Sequence, residues 1–163
     1  MSTNSFATLI DEQIPRRIRD LASTTISLDV ISYGTIGGDR ALEMLKWFPK
    51  SRLILGHFFD EDYERARLFA RAIPLAWNCE ARLLQNSHAK LLIFHGQHPR
   101  VIVGSYNLGS SAQHETAILV DGYPAMAFRR AYDTYWKRST KVNKVNLAKI
   151  KASLVGAEFE VPR

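Results

Sequence analysis

SHAKLLIFHGQHPRVIVGSYNLGSSAQHETAILV, residues 87–120, is the stretch whose reading decides the fold. Three apolar runs follow one another within it and just past its end: Ala89 to Phe94, Arg100 to Gly104, and Glu115 to Asp121. β-Branched and aromatic residues fill them, and Gly, Pro, Asn and Ser punctuate the gaps, which is the pattern of short strands. Side chains alternate across a strand, so His88 and Lys90 are expected on one face and Ala89, Leu91 and Ile93 on the other. An imidazole and an ammonium are thereby set side by side at the mouth of a sheet. The next strand closes on Gly104-Ser105-Tyr106-Asn107, a small-residue turn that carries a hydroxyl and an amide. Glu115 opens the strand after it.

These are the parts of a phosphoryl-transfer site. An imidazole can attack phosphorus, an ammonium and an amide can neutralise the equatorial oxygens, and a carboxylate can fix the imidazole tautomer. His88-Ala89-Lys90 followed by Gly104-Ser105-Tyr106-Asn107 resembles the HxK…GSxN motif of the phospholipase D superfamily, the HKD enzymes. The motif covers about a fifth of the chain. The resemblance implies a phosphodiesterase with His88, Lys90, Asn107, Ser105 and Glu115 as site residues and no cofactor or metal. Three departures stand out. The family carries Asp five residues after its Lys, where this chain has His95. The stretch from His95 to Gly104 is longer than usual, and the interval from Asn107 to Glu115 is shorter than in many members.

The motif occurs once. Two-copy members of the family pair two motifs across a pseudo-two-fold axis, and a single-copy chain resembles the small bacterial nucleases that homodimerise instead. The implied reaction has two steps. His88 of one subunit attacks phosphorus and forms a phosphohistidine, while His88 of the other protonates the departing oxygen and then activates water. One histidine cannot do both in one step, so a symmetric dimer with a composite site is expected. Lys90, Asn107 and Ser105 would hold the phosphoryl oxygens, and Glu115 would orient His88 through Nδ1. The two histidines must hold opposite protonation states, which gives a bell-shaped pH dependence.

Outward from this stretch the punctuation gives a coarse map. Residues 5–21 read as a first helix on the spacing of Phe6, Leu9, Ile10, Ile14 and Ile18, with Pro15 as a candidate break. Residues 24–33 read as a strand, residues 40–47 as a helix capped by Asp39, and residues 52–58 as a second strand. A third helix is expected over 60–72 and a third strand over 80–84. A final helix starts near Pro124 with Phe128, Tyr132, Tyr135 and Trp136 on one face, a core-facing stripe. The order α-β-α-β-α-β-β-β-β-α argues an α/β fold: a mixed, mostly parallel sheet flanked by helices, compatible with the phospholipase D fold. One catalytic domain is expected over 1–140 and a basic extension over 141–163. His57 and Cys79 read as structural. His88, His95, His98 and His114 match no zinc spacing.

The chain has 163 residues, of which 46% are hydrophobic and 23% charged, so it is an ordinary globular protein rather than a disordered tail. A single cysteine excludes an intrachain disulfide. No apolar run approaches the roughly 20 residues that span a bilayer. MSTNSF at the N-terminus lacks a basic region leading into an apolar stretch, so no secretory signal is expected and the cytoplasm is the expected location. The net charge is +6. Between Gly122 and Lys151 stand eight basic residues, including Arg129, Arg130, Lys137, Lys141 and Lys144, against one acid, Asp133. The rest of the chain is close to neutral. A localised basic stripe is the electrostatic footprint of a phosphate-backbone binder. Lys137, Lys141 and Lys144 would share a face if the last helix continued. The reading is therefore an endonuclease or nickase, with DNA ahead of RNA as the partner and room for an unidentified protein partner. A phospholipid phosphodiesterase and an inactive nucleic-acid-binding module of the same fold are the alternatives.

Overall fold

The computed structural model describes residues 5–33, 38–57, 78–110 and 114–141. Eight strands and three helices lie within them. The order is β1 (Ser5–Ile10), α1 (Gln13–Ala22), β2 (Ser27–Ser32), α2 (Gly38–Lys46), β3 (Ser51–His57), β4 (Cys79–Gln85), β5 (Leu91–His95), β6 (Arg100–Gly104), β7 (Thr116–Asp121), α3 (Ala125–Arg138) and β8 (Thr140–Lys141). All eight strands form one sheet in the order β1-β7-β6-β5-β2-β3-β4-β8. It is the mixed α/β sheet that the sequence led us to expect. Its parallel share is smaller than expected: β2–β3 and β3–β4 are parallel, and the five other pairings are antiparallel.

Alternation along the strands builds two cores. Leu28, Val30, Leu53, Leu55, Leu92, Phe94 and Ile102 point to one face, where Ile14, Ile18 and Leu21 of α1 and Ala41, Met44 and Leu45 of α2 cover them. Ile31, Ile54, Leu91, Ile93, Val101 and Val120 point to the other, where Ala125 and Tyr132 of α3 pack. A sheet with helices on both faces satisfies the burial needs of each layer. β2 lies at the centre, with five of its six residues buried.

Several expectations are corrected here. Residues 5–10 are a strand rather than the start of a helix. They pair with β7 from Ser5↔Asp121 to Ile10↔Thr116, and Asp11 at φ 45° turns the chain before α1 begins. Pairing outweighed the helical spacing of Phe6, Leu9 and Ile10. Pro15 does not break α1, because it stands in the first turn, where backbone N–H groups have no intrahelical partner. Lys141 does not continue α3, because β8 pairs Lys141 with Arg82 of β4. Asp39 lies within α2 rather than ahead of it, and residues 142–163 of the expected basic extension lie outside the described residues. The helix expected over 60–72 and residue Lys144 lie outside the described residues.

Candidate active site

The site residues gather where the parallel strands β2 and β3 end, the place where open α/β sheets form their crevices. Residues 87–90 cross that end in an extended stretch ahead of β5, so His88 and Lys90 precede the strand in place of lying within it. Gly56 in β3 makes the crossing possible: a Cβ there would lie 1.8 Å from the Ser87 carbonyl oxygen. The Lys90 ammonium lies 3.3 Å from Nδ1 and 3.4 Å from Nε2 of His88, and it donates to the His88 carbonyl at 3.1 Å. Burial presses the Lys90 ammonium below the ordinary lysine range, and the charge of Glu115 pulls it partly back.

The GSYN turn and the start of β7 complete the cluster. The Ser105 hydroxyl donates to the Glu115 carboxylate and to the Thr116 carbonyl, and it accepts the Thr116 N–H at 3.0 Å. Gly104 permits this approach, since a Cβ there would stand 2.1 Å from the Thr116 carbonyl oxygen. Glu115 was expected to stand behind His88. Its carboxylate takes the Ser105 hydroxyl, and its charge acts on Lys90. Ser32 at the end of β2 donates to Asn107 Oδ1 at 3.4 Å and accepts the Leu108 N–H at 3.1 Å. All five candidate residues are thus tied to the same end of the sheet.

Sequence reasoning missed four residues at this end, three of which contact the candidate residues. Ser32 ties Asn107. Tyr33 packs its ring against His88 with centroids 4.5 Å apart and stands under Lys90 Nζ at 5.5 Å. Asp11 accepts the Glu115 N–H at 3.0 Å and donates its own N–H to the Glu115 carbonyl at 3.0 Å. Asn86 precedes the His88 segment. Among the described residues, the non-glycine residues with positive φ are Asp11 (45°), Asn86 (59°) and His114 (57°). Each adjoins the candidate residues or bonds to one of them. Left-handed backbone at such positions is held only where the surroundings over-determine it, and it clusters at functional sites. The usable sequence signal was Asn86, two residues before the motif.

The position where the motif has Asp is filled in a different way. His95 ends β5, at the far end from Lys90, about 16 Å away along the strand. Its Nε2 lies 2.6 Å from the carboxylate of Asp29, a buried residue of β2. Arg52 of β3 donates to the same carboxylate at 2.7 Å and 2.5 Å and to Asp133 of α3 at 3.1 Å. Burial pushes the Asp29 carboxyl up, but the hydrogen bonds and charges of Arg52 and His95 more than offset this, and the net shift is downward. A carboxylate therefore does meet this end of β5; it comes from the neighbouring strand. Among the described residues no group of three or more His, Cys, Asp and Glu is placed to hold a metal ion.

The basic residues do not join the site. Arg129 lines a cleft of about 480 Å³ with Lys50, His95 and Asp133, at the end of the sheet opposite His88. Arg130 and Lys137 are exposed on α3. Lys141 is exposed on β8, with Nζ 3.7 Å from Glu80. No described helix is long and apolar enough to cross a membrane.

No family model matches the sequence, and no curated protein matches it. Solved structures do. Nuc from Salmonella typhimurium, a phospholipase D family member, superposes with a TM-score of 0.65 at 14% identity, covering 88% of this chain and 100% of Nuc. NucT from Helicobacter pylori gives 0.61 at 16% identity, covering 87% of this chain and 100% of NucT. TrmBL2, an archaeal chromatin protein whose structure shows a mode of DNA binding, gives 0.58 at 16% identity over 84% of this chain and 54% of TrmBL2. The chain has the phospholipase D fold.

Proposed function

From that fold and this site we propose that the protein is a phosphodiesterase that cleaves nucleic acid through a phosphohistidine, as an endonuclease or nickase. The observation that carries the reading is the His88–Lys90 pair, an imidazole 3.3 Å from an ammonium at the C-terminal ends of parallel strands. A His88 nitrogen attacks phosphorus in line, and the bond to the leaving oxygen breaks. That oxygen takes a proton from His88 of a second subunit. Water then gives its proton to that second histidine and attacks phosphorus, and the P–N bond breaks. Lys90 and Asn107 hold the non-bridging oxygens as charge develops on them. Ser105 and Glu115 keep the Lys90 ammonium charged and aimed. Positive charge comes from Lys90 of both subunits, so no metal is required. The composite dimer follows from the single motif and the need for two histidines.

A nucleic-acid partner is supported by the basic residues of α3 and by the fold shared with the DNA-binding TrmBL2. A second reading has its own observation. Arg129 lies at the end of the sheet remote from His88, as in a module that binds DNA without cutting it. Cleavage of supercoiled plasmid in EDTA, beside His88→Ala, decides. Cutting by the wild type alone supports the enzyme. Salt-sensitive binding with no cutting supports the module. Cutting by both variants removes His88 from the mechanism.

A further inference from the structure

Two consecutive residues at the end of β2 touch three candidate residues of the site. Ser32 bonds to Asn107, and Tyr33 meets both His88 and Lys90. β2 is a central strand with five of its six residues buried, Ser32 among them. Tyr33 is half-buried there. Its ring plane is inclined 53° to the His88 imidazole, a tilted contact that fixes the plane of the smaller ring.

The pair beside it needs such a support. Lys90 Nζ stands within 3.4 Å of both ring nitrogens of His88. When both groups are protonated they repel, and a lysine stem with four rotatable bonds can swing away from the site. An aromatic face attracts an ammonium and opposes that swing. We propose that Tyr33 is a positioning residue: its ring sets the imidazole plane of His88 and offers the face that keeps the Lys90 ammonium beside it. The role rests on the phosphodiesterase reading above. It needs the ring and not the hydroxyl.

Tyr33→Phe and Tyr33→Leu test it in the plasmid assay, run with His88→Ala. The phenyl ring of Phe keeps both contacts, so cleavage stays within about twofold of the wild type. Leu removes them, so kcat falls about tenfold or more while KM stays within about twofold, the pattern of lost orientation rather than lost binding. Wild-type kcat in Tyr33→Leu, or equal loss in Phe and Leu, overturns the proposal. His88→Ala separates two failures. If it still cuts, the phosphodiesterase reading falls. If it is dead while Tyr33→Leu is fully active, only the role of Tyr33 falls. Nuclear Overhauser contacts in the wild type give an answer that depends on neither folding of the Leu variant nor turnover. Contacts between the Tyr33 and His88 rings and from Tyr33 to the Lys90 Cε protons support the role, and their absence overturns it.

Discussion

His88 and His95 flank the same strand, and the molecule treats them in opposite ways. At the His95 end a buried carboxylate is met by a guanidinium and an imidazole. Asp29 is 2% exposed and receives Arg52 and His95, and Arg52 also reaches Asp133. Tyr132 and Trp136 stack on the Arg52 guanidinium at 4.9 Å and 5.1 Å. That is a buried network of the kind that ties strands and helices together. At the His88 end the imidazole is exposed, the Lys90 ammonium stands 3.3 Å from it, and left-handed backbone occurs at Asn86, two residues before it. Like types of residue thus serve as scaffold at one end and, in the function proposed above, meet an incoming anion at the other. A histidine in a sequence says little about its role; the carboxylate it meets across the sheet decides it.

The contrast breaks most sharply through a crossed pair of variants. His88→Ala should lose about a thousandfold or more in cleavage, because a nucleophile has no substitute, while melting stays within about 2 °C. Asp29→Ala should do the reverse in stability. It leaves Arg52 and His95 facing a buried gap, at a cost of about 3 kcal/mol, the low end of the range because Arg52 keeps some contact with water. Melting curves and plasmid cleavage on both variants check this. A stable Asp29→Ala protein would show that the network carries no weight.

His95→Asp installs the residue that the family motif has at this position. The structure predicts a loss of about 1–2 kcal/mol, because two carboxylates would then crowd one guanidinium. Asp29→His in the same chain should recover part of it by exchanging the two partners. Urea denaturation of the single and double variants measures the effect, and a stabilised His95→Asp protein would end the idea that Asp29 substitutes for the motif carboxylate.

The acid limb sharpens the same point. The Asp29 carboxyl is net depressed in the folded protein, so its contribution is fully present above the ordinary carboxylate range near pH 4. It fades as pH falls below that range through the folded value, where the carboxylate finally takes a proton. The stability gap between wild type and Asp29→Asn should therefore shrink toward acid. A gap that stays constant with pH would mean that Asp29 acts by shape alone.

What the sequence disclosed follows this division. Residues 87–107 were legible because strong punctuation isolates short apolar runs and because the chemistry is local: His88 and Lys90 are two residues apart, and GSYN is one turn. The Asp29–His95 contact was not legible, since 66 residues separate partners that only the β2–β5 register brings together. Tyr33 and Asp11 escaped for the same reason. Residues 5–10 misled because six residues of strand run directly into an amphipathic helix. The break between them is Asp11 in a left-handed conformation, not a Gly or Pro. The basic stretch was legible as charge but not as position, because helical projection could not foresee that α3 ends at Arg138 and that the chain turns back along β4.

The smallest effect tests that last point. Arg130 and Lys137 are exposed on α3. If they contact phosphates, each change to Ala weakens binding of a short duplex a few-fold and flattens the slope of log K against log salt by about one. The loss should be uniform across sequences, since phosphate contacts position without specifying. Fluorescence anisotropy over a salt series reads the slope directly. Cleavage per bound complex should stay unchanged if the two residues act on binding alone. An unchanged slope in both variants would take the α3 residues out of the interface and leave Lys90 and Asn107 as the phosphate contacts named here.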